Sequence, residues 1–386
     1  MKELRAIFAG GGTGGHLFPA LAIANRMKER VEPDTSSKFL FVGTKRGLEY
    51  RMSDKLGYPL ETINVRGLQR SLSLTNLLFP ILLIGSIIKS MMIISRFKPD
   101  VVIGTGGYVM APVILAAVLL GKNRVIQEQN SYPGLATRKL AGLVDNLFLG
   151  FGSAAQYFKS STNMIETGNP VKDIIGKVSK QDGIDFFELD SNKKTIFILG
   201  GSLGASKINK NIKNGLEKLP ENYQIIWQTG ERDYKDVAAY AGDKVSGRAL
   251  FPFLNRMEMA YAAADFIIAR AGALTLAEIA ICNLPALLIP YPFATGNHQM
   301  INARNFSENG SAVVIEDDKL DAVCLLDKVV ELNESGDIKK MSAAAQTNSD
   351  NSSQFAVDKI VDEILGLIKY KQGAVVAEHR GDSNKV

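Results

Sequence analysis

The sequence predicts an α/β protein of two halves, each a parallel sheet covered by helices on both faces. Three observations carry that prediction. The chain has 386 residues, too many for one small core and suited to two domains of roughly 150–200 residues. Short apolar runs rich in β-branched residues alternate with helix-period segments, the pattern of successive strand-helix-strand units. The alternation also starts twice, each time with a strand that runs into a glycine-rich loop. A composition of 46% apolar and 22% charged residues, with 35 glycines, is that of a folded α/β chain rather than a disordered or fibrous one.

In the first half the strands are read at Ala6-Ile7-Phe8-Ala9, Phe39-Leu40-Phe41-Val42, Val101-Val102-Ile103-Gly104, Val125-Ile126-Gln127 and Leu147-Phe148-Leu149. The second half restarts at Thr195-Ile196-Phe197-Ile198-Leu199. It continues with Ile225-Ile226-Trp227, Ala249-Leu250-Phe251, Phe266-Ile267-Ile268, Ala286-Leu287-Leu288-Ile289 and Val313-Val314-Ile315. Between them Thr167-Gly168-Asn169-Pro170 breaks the pattern, which puts a hinge near Pro170, and the polar stretch 177–194 reads as an interdomain connection. The expected boundaries are an N-terminal domain over 1–168 and a C-terminal domain over 169–345. A helical segment over 346–371 can return to the N-terminal domain, and 372–386 reads as a frayed tail.

One segment is far more apolar than the rest: residues 77–88, then Lys89, then Met91-Met92-Ile93-Ile94. Its longest uncharged run is shorter than the roughly 20 residues that span a bilayer, and Pro80 and Gly85 interrupt it, so a transmembrane helix is not expected. A helix this apolar is either buried nearly all round or lies against lipid. Lys89 and Arg96 share one of its faces, and Arg66, Arg70 and Lys98 flank it.

Cys282 and Cys324 are the only cysteines and both sit in apolar stretches. That points away from a disulfide framework or a cysteine metal site and fits a reducing compartment. The first residues lead into a strand without an apolar signal core, so a cytoplasmic location is expected. The net charge of +5 suits anionic phosphates, an anionic membrane surface or solubility alone. Basic residues do not alternate with aromatics in any long block, so no nucleic-acid partner is expected.

The first strand ends in Gly10-Gly11-Gly12-Thr13-Gly14-Gly15-His16, a G-x-G-x-x-G spacing between strand and helix. Glycines there let the backbone pass close to a phosphate while the helix N-terminus offers amide donors and partial positive charge, so the loop suits a diphosphate. The plainer alternative is a tight strand-to-helix turn. A dinucleotide site asks further for Asp or Glu at the end of the second strand, but that strand ends Val42-Gly43-Thr44-Lys45-Arg46. Arg46 keeps an NADP-dependent oxidoreductase open as an alternative.

The second half opens with Leu199-Gly200-Gly201-Ser202-Leu203-Gly204-Ala205-Ser206, where the Ser202 hydroxyl can itself donate to a phosphate oxygen. A helix cap by Ser202 or Ser206 is the alternative. Further on, the run from Arg270 to Glu278 follows another strand. Glu278 can accept both hydroxyls of a ribose or simply offset the helix dipole.

Taken in order, GGGTGGH at 10–16, Gly104-Thr105-Gly106-Gly107-Tyr108-Val109, Glu128-Gln129-Asn130, Gly168-Asn169-Pro170-Val171, GGSLGA at 200–205, RAGALTLAE at 270–278, and His298-Gln299 with Asn302-Ala303 resemble the MurG glycosyltransferases across both halves. The resemblance implies a GT-B fold, two Rossmann-like domains with parallel sheets facing a cleft. It implies inverting transfer of N-acetylglucosamine from UDP-N-acetylglucosamine to the 4-hydroxyl of undecaprenyl-diphosphate-linked muramyl-pentapeptide, in peptidoglycan synthesis.

Carried over by position, Thr13, Gly14 and Gly15 lie beside the donor and Asn130 contacts a sugar. Ser202 faces the diphosphate and Leu254 walls the uracil. Ala273, Leu274, Thr275, Leu276, Ala277 and Glu278 wrap the nucleotide, with Glu278 on the ribose, and Gln299 addresses the donor sugar. Lys172 stands where many relatives carry Arg, keeping the charge but not the planar fork. Leu203 and Met110 replace more polar residues. A lipid-borne acceptor also turns the apolar segment toward an anionic membrane surface, with Leu78, Phe79, Ile81, Leu82, Lys89 and Arg96 as the expected contacts, on the cytoplasmic face of the bacterial cell membrane. Other cell-wall synthesis proteins are candidate partners.

Inverting transfer needs a base for the acceptor hydroxyl and stabilisation of the departing diphosphate. Of the three histidines, His16 at the end of the first glycine loop is the candidate base. A helix-start histidine that only positions substrate is the alternative. His298, beside Gln299, reads as a polar donor, and His379 falls in the tail. No Asp-x-Asp run and no metal-ligand spacing occur, so neither a metal nor a cofactor is expected. Leaving-group charge would fall on Ser202, its loop amides, Lys172 and the helix start near Leu274. A GT-B enzyme with a different UDP-sugar or glycolipid acceptor is the nearest alternative, followed by the oxidoreductase and by a non-enzymatic nucleotide sensor.

Overall fold

Strands that are apolar on both sides must be covered on both sides, and this requirement shapes both sheets. A computed structural model describes residues 3–31, 36–67, 79–201, 204–241, 245, 249–347 and 355–381. The chain divides into two compact units, Met1–Pro170 with Phe355–Val386, and Val171–Gln354.

The first unit contains β1 (Leu4–Gly10), β2 (Ser37–Gly43), β3 (Leu60–Thr62), β4 (Val101–Gly106), β5 (Asn123–Glu128), β6 (Asn146–Leu149) and β7 (Met164–Glu166). Its helices are α1 (Gly14–Val31), α2 (Leu48–Arg51), α3 (Ser53–Leu56), α4 (Phe79–Phe97), α5 (Gly107–Leu119) and α6 (Leu135–Leu140). The second unit contains α7 (Lys180–Phe187), β8 (Lys194–Leu199), α8 (Ser206–Gly215), β9 (Tyr223–Gln228), α9 (Glu231–Ala241), β10 (Leu250–Phe251), α10 (Met257–Ala263), β11 (Phe266–Ala269) and α11 (Ala273–Ile281). It continues with β12 (Ala286–Leu288), α12 (His298–Ser307), β13 (Ala312–Val314), α13 (Leu325–Glu334) and α14 (Asp337–Thr347). The last helix, α15 (Ala356–Gly381), belongs to the first unit.

Strand order is β3-β2-β1-β4-β5-β6-β7 in the first sheet and β10-β9-β8-β11-β12-β13 in the second. Every pairing is parallel. Each sheet therefore winds outward in both directions from one central pair, β1 and β4 or β8 and β11. The strand ends at such a reversal splay their loops apart and leave a crevice where ligands bind in open α/β sheets.

Alternation along β1 shows the layering. Ala6 and Phe8 pack with Leu17, Ala20 and Ile23 of α1 and with Ile360, Val361 and Ile364 of α15. Ile7 and Ala9 pack with Val109, Val113 and Ile114 of α5 and with Ile93 and Ile94 of α4. α15 is also tied to α1 by a fork, the Arg26 Nε donating to Asp358 Oδ1 at 2.7 Å and its Nη2 to Oδ2 at 2.9 Å.

Four features depart from expectation. β3 and β7 were not evident from the sequence. They are three-residue edge strands whose short, partly polar composition gives no apolar run. The stretch 177–194 is not a bare connection, because it holds α7. Ser179 caps that helix, its Oγ accepting from the Asp182 N–H at 3.1 Å. Ile184 and Phe187 are buried, and Gly183 lies so near α10 that a Cβ there would sit 2.6 Å from the Met259 carbonyl. α15 continues through 372–381, expected to be frayed, where no proline interrupts it. α4 is long and apolar enough to cross a membrane by length and composition; Lys89 had split its apolar run. One face of α4 is nonetheless built into the unit, with Ser86, Ser90, Ile93 and Ile94 buried and the Ser86 hydroxyl donating to the Asn64 carbonyl at 3.0 Å.

Candidate functional site

In the first unit, chemistry gathers where β1 and β4 end. β1 ends at Gly10, where a Cβ would fall 1.8 Å from Thr105 Oγ1 of β4. Thr105 Oγ1 instead donates to the His16 carbonyl at 2.7 Å, which pins the first turn of α1 to β4. Thr13 begins that helix, its carbonyl accepting from the Leu17 N–H at 3.1 Å. Thr13 and Gly15 are exposed and Gly14 is buried.

The half-buried His16 ring lies on the Gly106-Gly107 turn. Gly106 has φ +107°, and a Cβ there would come within 2.4 Å of His16 Nδ1. Nδ1 is 3.2 Å from both the Thr105 carbonyl and Gln129 Oε1. Asn130, at the end of β5, donates through Nδ2 to the buried Glu128 carboxylate at 3.1 Å.

The first glycine loop already holds a carboxyl group of the protein's own. Glu49 is buried, its Oε2 accepting from the Gly12 N–H at 2.7 Å and its Oε1 from the Thr44 N–H at 2.8 Å. A Cβ on Gly11, Gly43 or Gly47 would lie within 2.4 Å of this side chain, so three glycines make its room. Glu49 thus occupies the Gly12 N–H of this loop from inside the protein. Replacing Glu49 by Leu is expected to leave the buried Thr44 N–H and the half-buried Gly12 N–H without this partner, at up to about 1–3 kcal/mol each. Urea unfolding measures this, and an unchanged midpoint would refute the role.

In the second unit the corresponding loops follow β8 and β11. Gly204 has φ +76° and a Cβ there would collide with the Thr229 carbonyl at 2.3 Å, so the loop after β8 folds tightly onto the end of β9. Buried Gln228 braces it, Nε2 donating to the Gly201 carbonyl at 3.0 Å and Oε1 accepting from the Leu254 N–H at 2.9 Å. Gln228 thereby joins the glycine loop to Leu254, whose side chain is buried. Ser202 and Leu203 lie outside the described residues. At the start of α8, Asp233 accepts from Ser206 Oγ at 2.5 Å and Asn209 Nδ2 at 2.8 Å. Burial works against its charge, but these bonds and Arg232 outweigh that and hold its carboxyl below the usual range.

After β11, Gly272 starts α11. Successive residues in a helix point 100° apart, so the run 273–278 cannot all face one ligand. Leu274, Thr275 and Glu278 are half-buried on one side, whereas Ala273, Leu276 and Ala277 turn into the core and can meet a ligand only through backbone. Glu278 Oε2 accepts from the Tyr261 hydroxyl at 2.8 Å. Burial raises the Glu278 carboxyl to about 7, although the Tyr261 bond and the nearby charge of exposed Lys172 both pull it down. Lys172 therefore stands beside the ribose candidate. Burial, with Glu278 next, pushes the Cys282 thiol up to about 12, which leaves it an unreactive packing group.

Arg270 organises the loop after β12. Its Nη1 donates to the Ile289 carbonyl at 3.1 Å, the Pro290 carbonyl at 3.3 Å and Asp317 Oδ1 at 2.5 Å, and its guanidinium lies 5.5 Å from the Tyr291 ring centre. The Tyr291 N–H in turn donates to Gln299 Oε1 at 2.9 Å. His298 Nδ1 lies 2.6 Å from the Thr295 carbonyl. Sequence reasoning missed Glu49, Gln127, Gln228 and Tyr261. Among the described residues no group of three or more His, Cys, Asp or Glu side chains could hold a metal ion.

Of the expected membrane contacts, Leu78 lies outside the described residues, as does Arg70. Phe79 and Leu82 are half-buried, and Ile81, Lys89 and Arg96 are exposed. Arg96 is ion-paired with Glu61.

Two doubly wound parallel α/β units, each with its chemistry at the sheet's reversal point, are the architecture of GT-B glycosyltransferases. Residues 6–149 match the glycosyltransferase family 28 N-terminal domain and residues 195–361 the glycosyltransferase family 28 C-terminal domain. The chain is 39% identical over 379 residues to the UDP-N-acetylglucosamine–N-acetylmuramyl-(pentapeptide) pyrophosphoryl-undecaprenol N-acetylglucosamine transferase of Flavobacterium psychrophilum, covering 96% of this chain and 99% of that protein. The protein of the same description from Alkaliphilus metalliredigens is 36% identical over 370 residues, covering 95% and 100%. The crystal structure of Acinetobacter baumannii MurG superimposes with a TM-score of 0.70 at 28% identity, covering 94% of this chain and all of that one. The chain belongs to the MurG family of glycosyltransferases.

Proposed function

We propose that the protein transfers N-acetylglucosamine from UDP-N-acetylglucosamine to the 4-hydroxyl of undecaprenyl-diphosphate-linked muramyl-pentapeptide, with inversion. The observation that carries this reading, beside family membership, is the division of chemistry between the units. A histidine stands at the reversal point of one sheet, and a glycine loop with a carboxylate and a lysine stands at that of the other. Glu278 accepts the ribose hydroxyls through the oxygen that Tyr261 leaves available, and Gln299 addresses the donor sugar.

In the reaction the acceptor hydroxyl gives its proton to His16 while its oxygen bonds to the anomeric carbon. The bond from that carbon to the diphosphate breaks, and its electron pair leaves on the UDP phosphate oxygen. Amides of the loop after β8, the start of α11 and Lys172 stabilise that charge without rearranging. Transfer of labelled N-acetylglucosamine to a short-chain lipid-linked muramyl-pentapeptide tests the proposal, and no product from folded protein would overturn it. An NADP-dependent reaction at the first loop is disfavoured because Glu49 holds the Gly12 N–H.

The acceptor's lipid explains the outer face of α4. Ile81, Ile84, Ile88 and Met92 are 68%, 58%, 53% and 60% exposed, and their spacing aligns them in one stripe. Lys89 and Arg96 border it. We infer that this stripe rests on the anionic cytoplasmic face of the cell membrane as a peripheral contact. Replacing Ile84 and Ile88 together by Asp is expected to weaken binding to vesicles containing phosphatidylglycerol at least about tenfold, since each buried Ile contributes about 1.5–3 kcal/mol. Equal sedimentation of variant and parent with vesicles would refute it.

A further inference from the structure

We propose that Asn169, Gln127 and Gln129 form a one-way amide relay that fixes neutral His16 with its proton on Nδ1 and its lone pair on Nε2. They are thus positioning residues for the proton transfer. The inference rests on the reading of His16 as the base, but its geometry stands apart from that reading.

An amide side chain can be turned end for end, so its oxygen must be located from partners that only accept or only donate. Asn169 settles the far end. One arm of its amide lies 3.0 Å from the main-chain carbonyl of Gln129, so that arm is Nδ2 and Oδ1 is the other. Oδ1 accepts from Gln127 Nε2 at 3.3 Å, which also faces the Glu128 carbonyl at 3.3 Å. Gln127 Oε1 therefore points the other way and accepts from Gln129 Nε2 at 2.5 Å. Gln129 Nε2 is held as a donor by two further carbonyls, Thr105 at 2.7 Å and Gln127 at 3.1 Å. Only Oε1 of Gln129 remains to face His16.

His16 Nδ1 thus meets two oxygens with no proton to offer, Gln129 Oε1 and the Thr105 carbonyl, each at 3.2 Å. Nδ1 must carry the hydrogen. A neutral imidazole has only one N–H, so Nε2 is left as the acceptor. All three amides are buried, which keeps water from offering Gln129 a reason to turn over. Two glycines make space for the arrangement. A Cβ on Gly150 would sit 2.2 Å from Asn169 Oδ1, and one on Gly106 would sit 2.4 Å from His16 Nδ1. Gln127, Gln129 and Asn169 thereby act on the reaction through His16 rather than through substrate.

The test is two-bond proton–nitrogen correlation spectroscopy on the full chain with ¹⁵N-labelled histidine, at a pH where imidazole is neutral. The His16 signals are identified by their loss in His16→Asn. The expected wild-type pattern is a protonated Nδ1 and an unprotonated Nε2, the reverse of the form preferred by free histidine. Gln129→Met is expected to admit the other tautomer and to lower kcat about ten- to a hundredfold through lost orientation, with KM for UDP-N-acetylglucosamine unchanged. A wild-type His16 protonated on Nε2 would overturn the relay without any variant, as would a Gln129→Met protein with unchanged spectrum and kcat. If the tautomer is as stated but His16→Asn keeps full activity, the relay stands and the reading of His16 as base is what fails.

Discussion

His16→Asn is expected to lower kcat by a factor of about 10²–10⁴, the usual contribution of a positioned general base, with KM for the UDP-sugar little changed. Asparagine is a demanding test of this role. Its amide can still donate to the Thr105 carbonyl, and it still fits over Gly106, where any Cβ would come within 2.4 Å of the histidine ring. It has no atom at the place of Nε2. The pairing of β1 with β4 lies outside residue 16, and the Thr105 hydroxyl bonds its main-chain carbonyl, so both survive the change. A fall in kcat with an unchanged melting temperature therefore reports on the loss of Nε2 rather than on folding. Retained kcat, measured with the same short-chain acceptor, would reduce His16 to a residue that shapes the start of α1.

The central strands were legible because both of their faces are buried. β1, β4, β8 and β11 read as short continuous apolar runs closed by glycine or a turn. β3 and β7 were not legible, since an edge strand of three residues containing Glu61 or Glu166 carries no such run. α7 was hidden for a related reason. Two turns of helix anchored by Ile184 and Phe187 give too little period to be told from a polar linker, and the glycine that lets α7 approach α10 reads as a breaker. The apolar character of α4 was plain, but which of its faces packs could not be read until Ser86 and Ser90 proved to be on the inside.

The candidate site divides along similar lines. Glycines and His16 stood out because a backbone held at positive φ, as at Gly106 and Gly204, admits few other residues. The polar residues that orient them did not stand out. Glu49 meets Gly12 across 37 residues, Gln129 meets His16 across 113, and Leu254 meets Gln228 across 26. Spacing along the chain carries no trace of such pairs, and an acidic residue in a short helix looks like ordinary surface charge. The run 273–278 is limited in a different way. A motif read as a string assigns all its residues to the ligand, whereas the helix gives only every third or fourth side chain to one face.

Glu278→Gln is expected to make the protein more stable at pH 8 and worse at binding UDP. Burial raises the Glu278 carboxyl from an ordinary 4.5 to about 7. Between those values the folded protein holds a proton that the unfolded chain has released, so stability falls as pH rises through this window and is lowest above 7. The shift corresponds to about 3 kcal/mol in total. Glutamine abolishes the slope, and its carbonyl can still accept from Tyr261, whose hydroxyl is 2.8 Å away in the parent. Thermal unfolding across pH 5 to 8 should show the variant gaining several degrees at the alkaline end, at roughly 2–4 °C per kcal/mol for a unit of this size. Ribose hydroxyls are donors and favour the charged carboxylate. UDP affinity of the parent is therefore expected to weaken by up to about tenfold per pH unit below 7, while that of the variant stays low and flat. A carboxylate kept for packing would show the stability gain and no change in UDP binding, so calorimetric titration with UDP at pH 6 and 8 separates the two roles.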